Sequence, residues 1–375
     1  MAKRRGNNED SIYRRKDGYW VGQYGVHTVE GTKTRYIYGK TRAIVAEKLT
    51  RALADRNGGL TYGAGKMSVG EYVERWIEDS VRGTVRQRTY ERYQQIVRTH
   101  IKPALGHVKL SALTPAQVRA LYREKLDAGL APRTVRYIHG TLNKALKQAA
   151  ADGLIPRNAA SPVKAPKPQN KEIRPLNPNQ VKTFFEAVSG ERLEPLYVLA
   201  VTAGLRKGEL LGLKWEDLDL EVGTLQVRRS LSEARSGRIF EAPKSGKGRS
   251  IRLTRQAVRA LREHRKRQLE ERMKRAGLWQ EHGLVFPSRV GTPLRGRNLS
   301  RSFKRHLERA GLPLSLRFHD LRHTCATLLF KQGVNPKFVQ ELLGHGDVSL
   351  TLNIYSHVLP DMGDQAAMAM EAALQ

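Results

Sequence analysis

Four short stretches in the second half of the chain carry side chains able to work on a phosphate. In "TAGLRKGELLGLKW", Arg206 and Glu209 stand three residues apart, on one face of a helix that opens after Gly204. In "RFHDLRHTCATLLF", His319 and Arg322 share a face, and His323 lies one turn beyond His319. "EAPKSGKGRS" gathers Lys244, Lys247 and Arg249 in a basic loop, and "LLGHGDVSLTLNIYSH" holds His345 and Tyr355. An arginine presents a planar fork that matches two phosphate oxygens at once. A tyrosine hydroxyl becomes a useful nucleophile once its proton is removed and nearby cations steady the anion. The same cations offset the charge that develops on a phosphoryl group in transfer.

Each stretch also has an ordinary reading. Arg206 and Glu209 make a helix-surface ion pair worth less than about 1 kcal/mol. "HDLRH" loosely matches a zinc-binding helix, with His345 or His357 as a third ligand, but Asp320 stands where that motif has Glu. A lysine in a turn is usually solvated, and the loop alone does not choose among Lys244, Lys247 and Arg249 as a proton donor. No carboxylate cluster suggests Mg²⁺, and there is no phosphate loop for ATP.

The composition favours a polyanion as partner. Lys and Arg total 67 against 36 acids, a formal charge of +31. The excess is spread along the chain: net +8 over residues 1–66, +9 over 67–165 and +14 beyond. A long contact with a nucleic-acid backbone fits this distribution better than one basic tail does. The 375 residues suffice for two or three domains. The one cysteine, Cys325, excludes an intrachain disulfide and fits a reducing compartment. "MAKRRGNNED" is followed by no apolar segment, so no signal peptide is expected, and the stretch around "PLYVLAVTAGL" is too short to span a bilayer. A cytosolic protein without membrane partners is the expectation.

The elements that must position these residues fall into three blocks. "YWVGQYGV" and "TRYIYG", rich in aromatic and β-branched residues, predict short strands, three in all, with a helix opening at Thr41. Residues 68–153 predict four helices, opened by the capping boxes Ser68-x-x-Glu71 and Thr114-Pro-x-Gln117 and closed at Gly153. Five prolines between Pro156 and Pro175 then mark a hinge. The remainder reads as helices around two strands, "GTLQVRRSL" and "GRSIRLT", and a long charged helix through "RQAVRALREHRKRQLEERMKRAG".

Taken in order, Arg206, Lys244, His319-x-x-Arg322, His345 and Tyr355 resemble the active-site set of the tyrosine recombinase family, especially phage-type integrases. The resemblance covers nearly the whole chain. It implies a multidomain fold: a small three-stranded β-sheet plus helix, an all-α core-binding domain, and a mixed, mainly-α catalytic domain with a small β-sheet. The corresponding spans are an arm-type DNA-binding domain at 1–60, a linker at 61–67, the core-binding domain at 68–160, a linker at 161–175, and the catalytic domain with its tail at 176–375. It further implies that Tyr355 attacks a DNA phosphate to give a 3′-phosphotyrosyl link, with Arg206, Arg322 and His345 holding that phosphate. Lys244 would protonate the leaving 5′-oxygen, His319 would serve as base or hydrogen-bond partner, and Glu209 would occupy an acidic supporting position. No metal or other cofactor is implied. The implied partners are double-stranded DNA at core-type and arm-type sites, three further copies in a homotetramer, a host DNA-bending protein and an excisionase, in a bacterial host's cytoplasm at the nucleoid. A Xer-like resolving recombinase and a non-catalytic DNA-binding regulator are the alternatives.

Overall fold

The computed structural model describes residues 11–28, 31–57, 67–168, 175–235, 237–244, 246, 248–347 and 362–374. The chain divides into two compact units, residues 1–170 and 171–375.

The first unit begins with an antiparallel sheet in the order β1 (Ser11–Arg14), β2 (Trp20–Thr28), β3 (Gly31–Gly39), followed by α1 (Arg42–Asn57). The two-residue alternation of the strands separates its faces. Tyr24 and Ile37 pack toward Leu49 of α1. The other face carries Tyr13, Tyr36 and Tyr38, each about half exposed. Val21, which pairs with both Tyr13 and Tyr38, is buried between them in register.

Next come α2 (Val69–Trp76), α3 (Gln87–Ile96), α4 (Lys102–Leu105), α5 (Pro115–Asp127) and α6 (Pro132–Ala151). α2 and α3 each run on through a π-helical turn, at 77–81 and 97–101. Both expected capping boxes form: Ser68 with Glu71, and Thr114 with Gln117. Gly153 takes a left-handed φ of 68° just past α6, where a side chain would be strained. Val135, Ile138, Leu142, Ala145 and Ala149 place one stripe of α6 in the core, as a 3.6-residue period requires. The Tyr72 hydroxyl crosses that core to donate to the Ala145 carbonyl at 2.9 Å. At the surface, Lys144 of α6 lies 2.8 Å from the Tyr93 hydroxyl of α3, and Arg92 stacks over Tyr137.

The second unit is built around α8 (Glu194–Thr202), which follows α7 (Pro178–Val188). Seven consecutive residues of α8, Pro195–Val201, are buried. A helix apolar on all sides must be enclosed, and α7, α10 (Arg255–Lys274) and α12 (Asp320–Lys331) pack against this one. Phe184, Tyr197, Phe303 and Phe318 fill the space between helices with edge-on and tilted ring pairs. α9 (Lys207–Leu211), α11 (Gly296–Arg309) and α13 (Pro336–Leu343) complete this helical set. A last helix, α14 (Met362–Leu374), leaves Met368, Met370 and Leu374 exposed.

The β structure here differs from the two strands expected. β4 (Leu218–Asp219), β5 (Thr224–Val227) and β8 (Arg249–Arg252) form one antiparallel sheet, while β6 (Ser230–Ala234) and β7 (Gly237–Glu241) form a separate hairpin. "GTLQVRRSL" therefore breaks at its two arginines. Arg229 turns to buried Asp217, donating at 2.6 Å, and to Glu216 at 2.8 Å. These charge-assisted bonds compete with continuation of the strand.

Candidate active site

Gly204 ends the α8 segment with φ 60° and lets Arg206 serve as the N-cap residue of α9. Arg206 and Glu209 then close on each other. The Arg206 backbone N–H donates to Glu209 Oε2 at 2.9 Å and its Nη1 to Oε1 at 2.8 Å. Glu209 is 2% exposed and carries a second partner, Arg249 of β8, whose Nη1 and Nη2 donate to Oε1 and Oε2 at 3.1 and 2.8 Å. Burial works to raise the Glu209 pKa. The hydrogen bonds and charge of Arg249, then those of Arg206, overcome it and hold the carboxyl down at about 2.

The same arginines converge on the end of α13. Arg249 Nε donates to the Leu342 carbonyl at 2.8 Å, Arg322 Nη2 to the Leu343 carbonyl at 2.5 Å, and Arg206 Nη2 to the Gly344 carbonyl at 2.9 Å. Three successive carbonyls thus each take a different guanidinium. A helix end leaves its last carbonyls without intrahelical partners and concentrates negative potential there, so cations bind it well. Gly344 turns the chain with φ 64°, and a Cβ there would lie 2.9 Å from Arg249 Nη1. His345 follows at once, its carbonyl accepting from Gln340 Nε2 at 2.9 Å.

Arg322 is buried in α12, and its Nη1 also donates to the Gly204 carbonyl at 2.7 Å. His319, at the N-cap of that helix, meets His323 edge to face at 5.1 Å. Crowding by protein atoms, then repulsion from His323 and Arg322, pushes His319 down to about 4, although part of its surface stays open to solvent; Asp320 pulls the other way. Desolvation, then Arg322 and Arg206, pushes half-buried His345 down to about 4 as well. At neutral pH both are uncharged imidazoles able to accept a proton or a hydrogen bond.

Asp320, the acid between the two histidines, is committed to Arg317, accepting from its Nη2 at 2.8 Å and its backbone N–H at 2.7 Å. The described residues contain no group of three His, Cys, Asp or Glu side chains placed to hold a metal ion, and His357 lies outside them. Among the described residues the donor set therefore does not complete the zinc helix.

Five of the residues singled out in the sequence come together here: Arg206, Glu209, His319, Arg322 and His345. Lys244 stands exposed on the turn between β7 and β8 and takes no part in the hydrogen bonds of this cluster among the described residues. Tyr355 and Lys247 lie outside the described residues. Arg249, first considered only as a possible proton donor, belongs to the cluster instead. The signal for this is the period of two in "RSIR". Arg249 shares a face with buried Ile251, and an arginine on the inner face of a strand requires a buried acid.

Arg206 and Arg249 pair with the Glu209 carboxylate while Arg322 joins them at the end of α13, so this cluster sets three positive charges against one negative, a surplus suited to an anion. Residues 174–362 match the phage integrase family, and residues 68–126 match the N-terminal SAM-like domain of phage integrases. The chain is 32% identical over 343 residues to a tyrosine recombinase XerC-like protein of Caldanaerobacter subterraneus subsp. tengcongensis, covering 86% of this chain and 88% of that one. Its fold is similar to that of the Tn1549 transposon integrase in complex with a circular intermediate DNA (TM-score 0.69, 23% identity, 82% of this chain and 100% of that one). It is also similar to a lambda integrase tetramer bound to a Holliday junction (TM-score 0.57, 24% identity, 90% and 95%). The chain belongs to the phage integrase family and is a tyrosine-type site-specific recombinase, an enzyme that breaks and rejoins DNA.

Among the described residues no helix is long and apolar enough to cross a membrane.

Proposed function

We propose that this recombinase integrates and excises a mobile element with Tyr355 as nucleophile. The convergence of Arg206, Arg249 and Arg322 on the turn before His345 carries this reading, because it gathers cationic donors and a neutral imidazole at one turn. The Tyr355 oxygen attacks the scissile phosphorus, the bond to the 5′-oxygen breaks, and a 3′-phosphotyrosyl ester forms. His319 takes the tyrosine proton and Lys244 gives one to the leaving 5′-oxygen. Arg206, Arg322 and His345 hold the non-bridging oxygens as their charge grows. Glu209 keeps Arg206 in place. The ester conserves the energy of the broken phosphodiester, so a 5′-hydroxyl from another duplex reseals the strand without ATP.

The first 60 residues bind arm-type sites through the exposed tyrosine face of the sheet, and residues 68–160 grip core-type sites. Lys144 and Arg92, held against Tyr93 and Tyr137, mark the basic face of that grip. The working form is a homotetramer in which α14 of one copy docks on the next, burying its exposed methionines. A host DNA-bending protein and an excisionase set the direction, in the bacterial cytoplasm at the nucleoid. The N-terminal sheet favours this integrase reading over a Xer-like resolving recombinase, which resembles only the last two domains. The test is a core-site duplex nicked so that the 5′ product escapes: the wild type is expected to accumulate a 3′-linked covalent complex, and its absence removes the proposal.

A further inference from the structure

We infer that Arg249 is a positioning residue for DNA cleavage: it fixes the end of α13, and so His345, against Glu209. The inference rests on the role proposed above for His345. Arg249 has a side chain only 9% exposed, and its three kinds of nitrogen reach two separate elements. Nε holds the Leu342 carbonyl of α13 at 2.8 Å, while Nη1 and Nη2 hold the two oxygens of Glu209 in α9 at 3.1 and 2.8 Å. One planar group thus spans β8, α9 and α13. Gly344 lies so close that a Cβ on it would sit 3.1 Å from Arg249 Cζ, so the left-handed turn before His345 is packed on the guanidinium itself.

The arrangement separates Arg249 from the residues that would touch phosphate. Arg206 bonds the same two oxygens of Glu209 and retains a side chain 21% exposed. All three nitrogens of Arg249 are committed to Glu209 and the Leu342 carbonyl, so it acts through its neighbours. A lysine in its place keeps the charge but not the fork, and one ammonium cannot serve the carboxylate edge and the Leu342 carbonyl in this geometry. Loss of the fork frees the α13 end to shift, and a misplacement of about 1 Å is enough to cost about 100-fold in rate.

The experiment uses the full chain with Arg249→Lys and Arg249→Met. It measures affinity for a core-site duplex, the single-turnover rate of covalent complex formation at saturating DNA, and amide hydrogen exchange across residues 336–347. Both variants are expected to bind within about 2-fold of wild type, to form complex at least about 10-fold more slowly, and to exchange faster in that segment. Combining Arg249→Met with Glu209→Gln is expected to slow the reaction no more than about 2-fold beyond Glu209→Gln alone, since the two act as one unit. An unchanged rate at saturating DNA, unchanged exchange, full activity in Arg249→Lys, or multiplicative losses in the double variant each overturn the inference. A parallel loss of DNA binding and melting temperature in both variants overturns it too, showing a merely structural residue. A wild type that forms no covalent complex overturns the role of His345 instead, while the exchange measurement still decides whether Arg249 holds the turn.

Discussion

Glu209 and Arg249, forty residues apart, meet as a two-pronged ion pair, with Nη1 on Oε1 at 3.1 Å and Nη2 on Oε2 at 2.8 Å. Arg206 adds two more donors to the same carboxylate. Removing the acid leaves two guanidinium groups facing each other with little water to screen them. Glu209→Ala is expected to cost about 3 kcal/mol of stability, as loss of one partner from a buried pair generally does. Thermal denaturation checks this, and a loss below about 1 kcal/mol would mean that the pair is not desolvated in solution.

Gly204 combines a left-handed φ of 60° with close packing: a Cβ there would lie 2.6 Å from Leu343 Cδ2 and 3.2 Å from Cys325 Sγ. Gly204→Ala is expected to destabilise by about 1–2 kcal/mol from backbone strain alone. Its carbonyl also anchors Arg322, so slower cleavage is expected with unchanged DNA affinity. Denaturation and single-turnover assays read the two effects separately.

His264 contributes to the loss of stability in acid. Its ring is buried and shares a 2.7 Å hydrogen bond with the Val285 carbonyl, and burial pushes it down to about 4. Between its ordinary value near 6.5 and that value, the unfolded chain binds the proton and the folded chain does not, so stability falls as pH falls through this window. The loss is at most about 3 kcal/mol by pH 4. Urea denaturation of wild type and His264→Gln at pH 7 and 5 is expected to show a steeper loss in the wild type; parallel losses would assign the effect elsewhere.

The tyrosine face of the N-terminal sheet offers a separable test. Tyr36 and Tyr38 are 51% and 50% exposed, so replacing both by Ala leaves the helix-facing core of Tyr24 and Leu49 in place. Binding to an arm-type duplex is expected to weaken about 10-fold, with core-site binding unchanged. Equal affinity for arm DNA in titrations at fixed salt would remove the arm-binding role from this face.

Local signals in the sequence were legible where one residue decides the structure. Ser68, Thr114 and Gly153 mark helix ends because side-chain acceptors and a left-handed backbone act within one turn. Arg206, His319, Arg322 and His345 stood out through their types and order. For Arg249 the two-residue period of "RSIR" marks an inward side chain but not its partner, which depends on a strand register, Val227 opposite Arg249, and on an acid forty residues away. The break in "GTLQVRRSL" was hidden for the same reason: its cause, Asp217, is a distant buried partner of Arg229.

The central claim is that Tyr355 forms the covalent link to DNA. The most direct measurement traps the protein–DNA complex on a nicked core-site duplex, digests it, and maps the nucleotide-bearing peptide by mass spectrometry. The expected result is a 3′-phosphate on Tyr355, with Tyr355→Phe binding the duplex as tightly as wild type and forming no complex. A phosphate on another residue, or a complex that survives in Tyr355→Phe, would contradict it.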